Sequence, residues 1–266
     1  MDTLDQIEKE RISKAAELLL NSKNAVVLTG AGISTESGIP DFRGESGIWE
    51  KYKPEIYGSI QSFLNDPSKF WKMAKDIAPT LFNAKPNPGH NAITALEKMN
   101  VVKAVITQNI DELHQQAGSI IVYEVHGNIN RFTCLGCRAS YNKEQLLRKL
   151  KKEKKLPPVC DFCAAPLKPS VVLFGESLPN FEKYMSIDLA KKSDVMLIAG
   201  SSLTVAPACD LPLYTVSEGG KLIIVNDEST YLDERAEIVI NHKTGTILPL
   251  IVKEIKRIQA ERDIKT

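Results

Sequence analysis

Apolar residues along the chain fall into two periods. Ile12, Ala15, Ala16 and Leu19 recur at helical spacing behind a Thr3/Gln6 pair with capping-box separation, which predicts an amphipathic opening helix ending near Asn21. Short unbroken apolar runs follow at 25–28, 104–107, 120–123, 171–174, 195–198 and 222–225. Runs this short, without polar alternation, predict strands buried on both faces of a parallel sheet. Helical stretches separate most of them. Ala92, Ile93, Leu96 and Met99 give one helix a buried face, and Ile247, Leu248, Ile251, Ile255 and Ile258 mark the last. The alternation predicts an α/β fold, with a Rossmann-like, mostly parallel sheet carrying helices on both faces.

Two stretches break that rhythm. Residues 45–89 scatter Trp49, Tyr52, Phe63, Phe70 and Trp71 among prolines, and are expected to form short helices and loops that cover the main sheet. Residues 128–169 hold four of the five cysteines and look like an insertion between two strands. The expected division assigns 1–44, 90–127 and 170–266 to the Rossmann-like domain. The helical cover module (45–89) and the cysteine module (128–169) together form a small domain.

Composition narrows the function classes. With 43% hydrophobic and 25% charged residues at a net charge of +1, the chain has no global field to drive it onto nucleic acid or an anionic membrane. The first residues are too charged for a secretory segment, and no apolar run approaches the length of a membrane span. A cytoplasmic protein is expected, in which thiols stay reduced and cysteines serve a metal or a core.

Cys134–x–x–Cys137 and Cys160–x–x–Cys163 are two knuckles whose four thiolates complete a tetrahedral zinc site. Four protein ligands leave no open coordination position, so the zinc is expected to be structural. A pair of redox dithiols is the competing reading. Cys209 stands alone as a small buried hydrophobe. The basic stretch 148–155 reads as a solvated helix face, with contact to an acidic partner as the alternative.

Candidate chemistry gathers at the predicted C-terminal strand ends, where open α/β sheets bind ligands. Residues 29–44, TGAGISTESGIPDFRG, place Gly30-Ala31-Gly32 directly after the first strand, as a close approach to phosphate requires. Thr35 stands where a dinucleotide fingerprint has its third glycine, which argues against an ordinary hydride-transfer loop. Asp41, Phe42 and Arg43 follow on a loop bounded by Pro and Gly, suited to covering a ligand. Gln108, Asn109 and Asp111 sit after the second run, and His126, beside Gly127, after the third. An amide pair with a carboxylate can read a carboxamide or sugar hydroxyls, and a histidine can act as base near neutral pH. Of the remaining histidines, His90, His114 and His242 are read as structural or exposed.

GAGISTESGIPDFRG, TQNIDELHQQAG, VHGN, the paired knuckles, FGESLP, GSSLTVAP and IIVN occur in the order and spacing of the sirtuins. Over about residues 20–255 the chain resembles a compact sirtuin catalytic core, most like the bacterial and archaeal members. The resemblance implies NAD-dependent removal of acyl groups from protein lysines, with nicotinamide released and the acyl group passed to ADP-ribose as O-acetyl-ADP-ribose. It implies that Gly30, Ala31, Gly32 and Thr35 hold NAD, with Asp41 and Arg43 beside them and Phe42 shielding the sugar carbon. Asn109 and Gln108 would contact the nicotinamide ribose, and Ile110 and Asp111 the carboxamide. Gly200, Ser201 and Ser202 would meet phosphate and ribose, and Asn226 the adenosine end. His126 would deprotonate a ribose hydroxyl. Val172 and the backbone of Phe174, Gly175 and Glu176 would pair with an acetylated peptide lying as an extended strand between the two domains. A monomer without membrane contact is expected, touching nucleic acid only through its protein substrates.

Sirtuins that prefer acidic acyl groups carry a Tyr-x-x-Arg pair in the cover. Here the corresponding positions are Ala74 and Ile77. A succinyl carboxylate would be buried unpaired, so acetyl-lysine and longer apolar acyl chains are the expected substrates. Three other readings fit parts of the sequence. One is mono-ADP-ribosyl transfer at the same NAD site, one a zinc-ribbon module for chromatin or nucleic acid, and one a dehydrogenase. The Thr35 substitution weakens the last.

Overall fold

Buried, β-rich runs separated by capped helices build two sheets in the computed structural model, which describes residues 5–41, 47–153 and 155–265. In chain order the elements begin with α1 (Gln6–Asn21), β1 (Ala25–Thr29), α2 (Ile48–Lys51), α3 (Pro54–Tyr57), α4 (Ile60–Asn65), α5 (Pro67–Asn83) and α6 (Pro88–Lys98). Then come β2 (Val102–Thr107), α7 (Leu113–Ala117), β3 (Val122–Glu124), β4 (Gly127–Cys134), β5 (Ser140–Asn142), α8 (Lys143–Glu153) and β6 (Leu167–Val171). The chain closes with α9 (Asn180–Lys192), β7 (Val195–Ala199), α10 (Leu211–Ser217), β8 (Lys221–Val225), β9 (Ile238–Ile240) and α11 (Thr244–Lys265).

The main sheet runs β3-β2-β1-β7-β8-β9, every pair parallel. All five residues of β1 and of β7 are buried, as unbroken apolar runs at the sheet centre require. Helices α1, α6 and α11 cover one face through Ile12, Leu19, Ile93, Leu96, Ile247 and Ile251. Helices α9 and α10 close the other. Strand order reverses between β1 and β7, which opens a crevice beyond their C-terminal ends.

Several boundaries differ from the sequence expectation, each for a local reason. Helix α1 is capped by Asp5 and Glu8, whose side chains each accept from the other's backbone N–H; Thr3 lies outside the described residues. Ile120 and Ile121 are exposed and precede the strand, because their backbone N–H groups donate to the Glu97 carboxylate instead of a ladder. The run at 171–174 does not join the main sheet. Strand β6 ends at Val171 in a separate antiparallel sheet ordered β5-β4-β6, and β9 fills the main sheet's outer place. The cover contains a long helix: α5 has 17 residues, begins on Pro67 and tolerates Pro79 within it.

Cover and cysteine module share one core. Trp71 of α5 stacks on Phe132 of β4 with ring centroids 6.0 Å apart, and its indole N–H donates to the Leu167 carbonyl of β6. Phe63 and Phe70 continue the aromatic run. Among the described residues no helix is long and apolar enough to cross a membrane.

Candidate active site and metal site

A cavity of about 1090 Å³ lies in the crevice between the main sheet and the cover. Its floor is the set of loops leaving β1, β2 and β7. The loop after β1 makes two short 3-10 turns, Ala31–Ile33 and Thr35–Ser37, where a dinucleotide fold would start a long helix. Its glycines serve a neighbour before any ligand. A Cβ on Gly30 would stand 2.9 Å from the Gly200 carbonyl oxygen, and one on Gly200, at φ +64°, would stand 2.2 Å from the Ile33 nitrogen. The Gly32 N–H donates to Gly200 O at 2.8 Å, so the β1 and β7 loops interlock through their backbones.

The cavity is lined by Gly30, Ala31, Gly32, Thr35, Asp41, Gln108, Asn109, Ile110 and His126. It is also lined by Gly200, Ser201, Ser202, Asn226 and the Val172, Phe174, Gly175 and Glu176 tract. Phe42 and Arg43 lie outside the described residues. Asp111 sits just beneath the lining: its Oδ2 accepts from Ser34 Oγ at 2.7 Å and its Oδ1 from the Leu113 N–H at 3.0 Å. Burial raises its pKa above the usual carboxylate value.

The floor's side chains leave little freedom. Asn109 donates both amide hydrogens, to Gly30 O at 3.0 Å and Ser34 Oγ at 3.1 Å, which leaves Oδ1 for a ligand. Gln108 Nε2 donates to Ser201 Oγ at 2.8 Å, joining two predicted site residues from opposite sides of β1. His126 places Nδ1 2.9 Å from the Gln108 carbonyl. A carbonyl only accepts, so Nδ1 carries the proton and Nε2 keeps its lone pair. Burial holds this imidazole below its ordinary pKa, which favours the neutral ring.

In the layer below, sequence reasoning missed Ser34, while the buried His90 and His114 match their reading as structural. Ser34 is a hub, donating to Asp111 and meeting Asn109 and His90 Nε2, the last at 3.5 Å. His90 Nδ1 accepts from the Asn87 N–H, and the His90 and His114 rings pack 4.9 Å apart. The signal available was Asn87-Pro88-x-His90, a helix N-cap whose third helical residue is a histidine.

Gly127 stands at φ +78°, and a Cβ there would lie 1.9 Å from the Ser170 carbonyl oxygen, so the glycine permits the close β4–β6 approach. Beside it, Val172 N–H donates to His126 O at 2.8 Å, tying the 172–176 tract to the histidine. Phe174 spends both its backbone groups on the cover, donating to Gly58 O and accepting from Ile60 N–H. Among the described residues no hydrogen bond uses the Gly175 N–H or carbonyl. Lys168 Nζ braces the tract, 2.9 Å from Glu176 Oε2 and 2.8 Å from Val171 O, while Glu176 accepts from Leu173 N–H. The roof is mostly apolar, with Trp49, Met73, Ala74, Ile77 and Phe82 joined by Leu146, Leu147 and Leu150 of α8, while Lys75 and Lys155 also line the cavity.

The four predicted metal ligands converge on one point. Cys134, Cys137, Cys160 and Cys163 place all their sulfurs within 4.8 Å of one another. The Cys134–Cys163 and Cys137–Cys160 Sγ pairs stand 3.4 and 3.6 Å apart, close to the roughly 3.8 Å edge of a tetrahedral four-thiolate zinc site. Backbone N–H groups of Gly136 and Cys137 donate to Cys134 Sγ, and that of Phe162 to Cys160 Sγ, as thiolate ligands require. None of the four cysteines lines the cavity, and among the described residues no further histidine, cysteine or carboxylate joins the cluster, which fits a structural ion. Lys149 of α8, expected in solvent with the basic stretch, is instead buried against Glu153 and Asp161.

Comparison with known proteins agrees with this geometry. The Sir2 family model matches residues 30–207. An NAD-dependent protein deacylase 2 of Archaeoglobus fulgidus is 48% identical over 96% of this chain and its own full length. An NAD-dependent protein deacetylase of Sulfurisphaera tokodaii is 47% identical over 91% of this chain and 95% of its own. A solved Sir2 histidine-to-alanine variant, holding a deacetylated p53 peptide and 3'-O-acetyl ADP-ribose, superposes with a TM-score of 0.86 at 41% identity, covering 91% of this chain and 98% of its own.

Proposed function

The chain belongs to the Sir2 family and is an NAD-dependent protein deacylase, and on that premise we propose which residues carry the reaction and which acyl groups it takes. NAD supplies an electrophilic ribose carbon bearing nicotinamide as leaving group. Asn109 orients a ribose hydroxyl through Oδ1, with Gln108 alongside. Ile110 and Asp111 hold the carboxamide. The interlocked β1 and β7 loops, with Gly30, Ala31, Gly32, Thr35, Asp41, Ser201 and Ser202, take the phosphates and riboses, and Asn226 the adenosine end. Phe42 shields the sugar carbon and Arg43 meets the phosphates. His126 Nε2 accepts a proton from a ribose hydroxyl.

The observation that carries this reading is the His126 geometry. Its Nδ1–H is committed to a backbone carbonyl, so the bare nitrogen is Nε2 on a ring that lines the cavity. The acylated lysine arrives on an extended segment that pairs with the unused backbone of Gly175. Its acyl group points under a roof of Ala74, Ile77 and Met73. Those three side chains form an apolar wall without a cation, and Lys75 beside them is solvent-exposed, so acetyl and longer apolar chains are accepted and succinyl is refused. The four cysteines hold zinc, which fixes the module that supports the roof.

The test is a mixture of the protein, adenine-labelled NAD and an acetyl-lysine peptide. Nicotinamide released in step with deacetylated peptide, with the label in a small acylated product, supports the proposal. Label retained on protein would mean transfer of ADP-ribose instead.

A further inference from the structure

His114 lies beneath the floor, 1% exposed, and the reaction scheme leaves it unused. Its Nε2 is 2.9 Å from Thr29 Oγ1, and the Thr29 hydroxyl donates to Thr107 Oγ1 at 2.8 Å. Thr29 therefore has no proton left for the imidazole. The contact can be made only by an Nε2–H, which fixes the neutral ring with Nδ1 bare. Nδ1 is buried without a partner, as that tautomer leaves it.

The line continues into the active site. Thr29 and Thr107 are register partners at the C-terminal ends of β1 and β2. Thr107 Oγ1 also accepts the Asn109 backbone N–H at 3.1 Å. With His114 donating from one side, the Thr29 hydroxyl has a single orientation open, toward Thr107. Thr107 in turn fixes the turn on which Asn109 rides.

We infer that His114 is a positioning residue for Asn109, acting through the Thr29 and Thr107 hydroxyls to set where the Asn109 Oδ1 stands in the cavity. This rests on the assignment of Asn109 to the ribose. Misplacement of a substrate-orienting group by a fraction of an ångström lowers turnover by roughly tenfold to a hundredfold.

The experiment uses the full chain with NAD and an acetyl-lysine peptide, and compares His114→Gln, His114→Leu, Thr29→Val and the Leu/Val double variant. His114→Leu is expected to lower kcat roughly tenfold or more, with peptide KM, zinc content and Tm near wild type. His114→Gln, which keeps an N–H at that reach, restores most of it. The double variant is no worse than the poorer single one, because both cut the same line. Wild-type kcat in His114→Leu, or additive losses in the double variant, would overturn the inference. So would losses that only track Tm and are not rescued by glutamine. Imidazole ¹⁵N NMR gives a readout independent of turnover: His114 should carry its proton on Nε2 in the wild type and shift in Thr29→Val. A proton on Nδ1 would sink the relay. A wild type that never releases nicotinamide would instead sink the assigned function, with the tautomer still legible.

Discussion

Asn109 and Ala74 both face the cavity, yet they are held there by opposite means. Asn109 is fixed by directional bonds: its side chain to Gly30 and Ser34, its backbone to Thr107. Ala74 is fixed by shape, as one residue on a helix whose apolar face packs against the aromatic core around Trp71 and Phe132. A buried polar layer of this kind tolerates little change of chemical identity, because each lost partner strands another group. An apolar wall tolerates changes that conserve volume. On the proposed assignment, the floor sets the reaction and the roof sets which acyl group enters it.

The largest way to break this comparison is to remove the support common to roof and peptide tract. Cys134→Ser or chelation should unfold the cysteine module and abolish turnover, since a structural zinc contributes on the order of 10 kcal/mol to such units. Zinc content and near-UV dichroism check it. Next, His126→Ala should cost about 10²–10⁴ in kcat with the fold intact, measured as nicotinamide release.

The floor's buried histidines give a pH signature that the roof lacks. Burial lowers His90 to about 4 and His114 to about 3. Their folded values are depressed below 6.5, so the unfolded chain binds more protons in that window. Stability is fully retained above pH 6.5 and lost as pH falls toward 4, by up to about 1.4 kcal/mol per pH unit for each histidine. Urea melts across pH 7 to 4.5 test this, and His114→Leu should flatten the slope.

Two smaller effects concern the cavity's outer parts. Lys168→Met removes the brace from the 172–176 tract and should raise peptide KM by roughly tenfold, about 1.4 kcal/mol, while KM for NAD stays unchanged. Ala74→Phe narrows the roof and should lower kcat/KM for a hexanoyl-lysine peptide several-fold relative to acetyl, an effect of about 1 kcal/mol.

Legibility in the sequence followed the same divide. The central strands β1, β2, β7 and β8 were readable because both their faces are buried, and the metal site because C-x-x-C spacing is itself geometry. Edge positions were not. Ile120 and Ile121 look like a strand until Glu97, distant in sequence, takes their N–H groups. The 171–174 run carries strand composition, yet beyond Val171 its partners are His126 and the cover, neither of them adjacent in the chain. Residues that line the cavity announced themselves by motif. Residues that hold them, such as Ser34, His90 and His114, are visible only once β1, β2 and α6 converge.

The most direct test compares one floor variant with one roof variant across acyl groups. Wild type, Ser34→Ala and Ala74→Phe are assayed for kcat/KM with acetyl-, hexanoyl- and succinyl-lysine forms of one peptide. The division of labour predicts that Ser34→Ala lowers the acetyl and hexanoyl rates by the same factor and leaves their ratio at the wild-type value. Ala74→Phe should change that ratio while sparing acetyl turnover, and succinyl should remain the poorest substrate in all three proteins. A floor variant that re-ranks the acyl groups, or a roof variant that lowers them all equally, would contradict it.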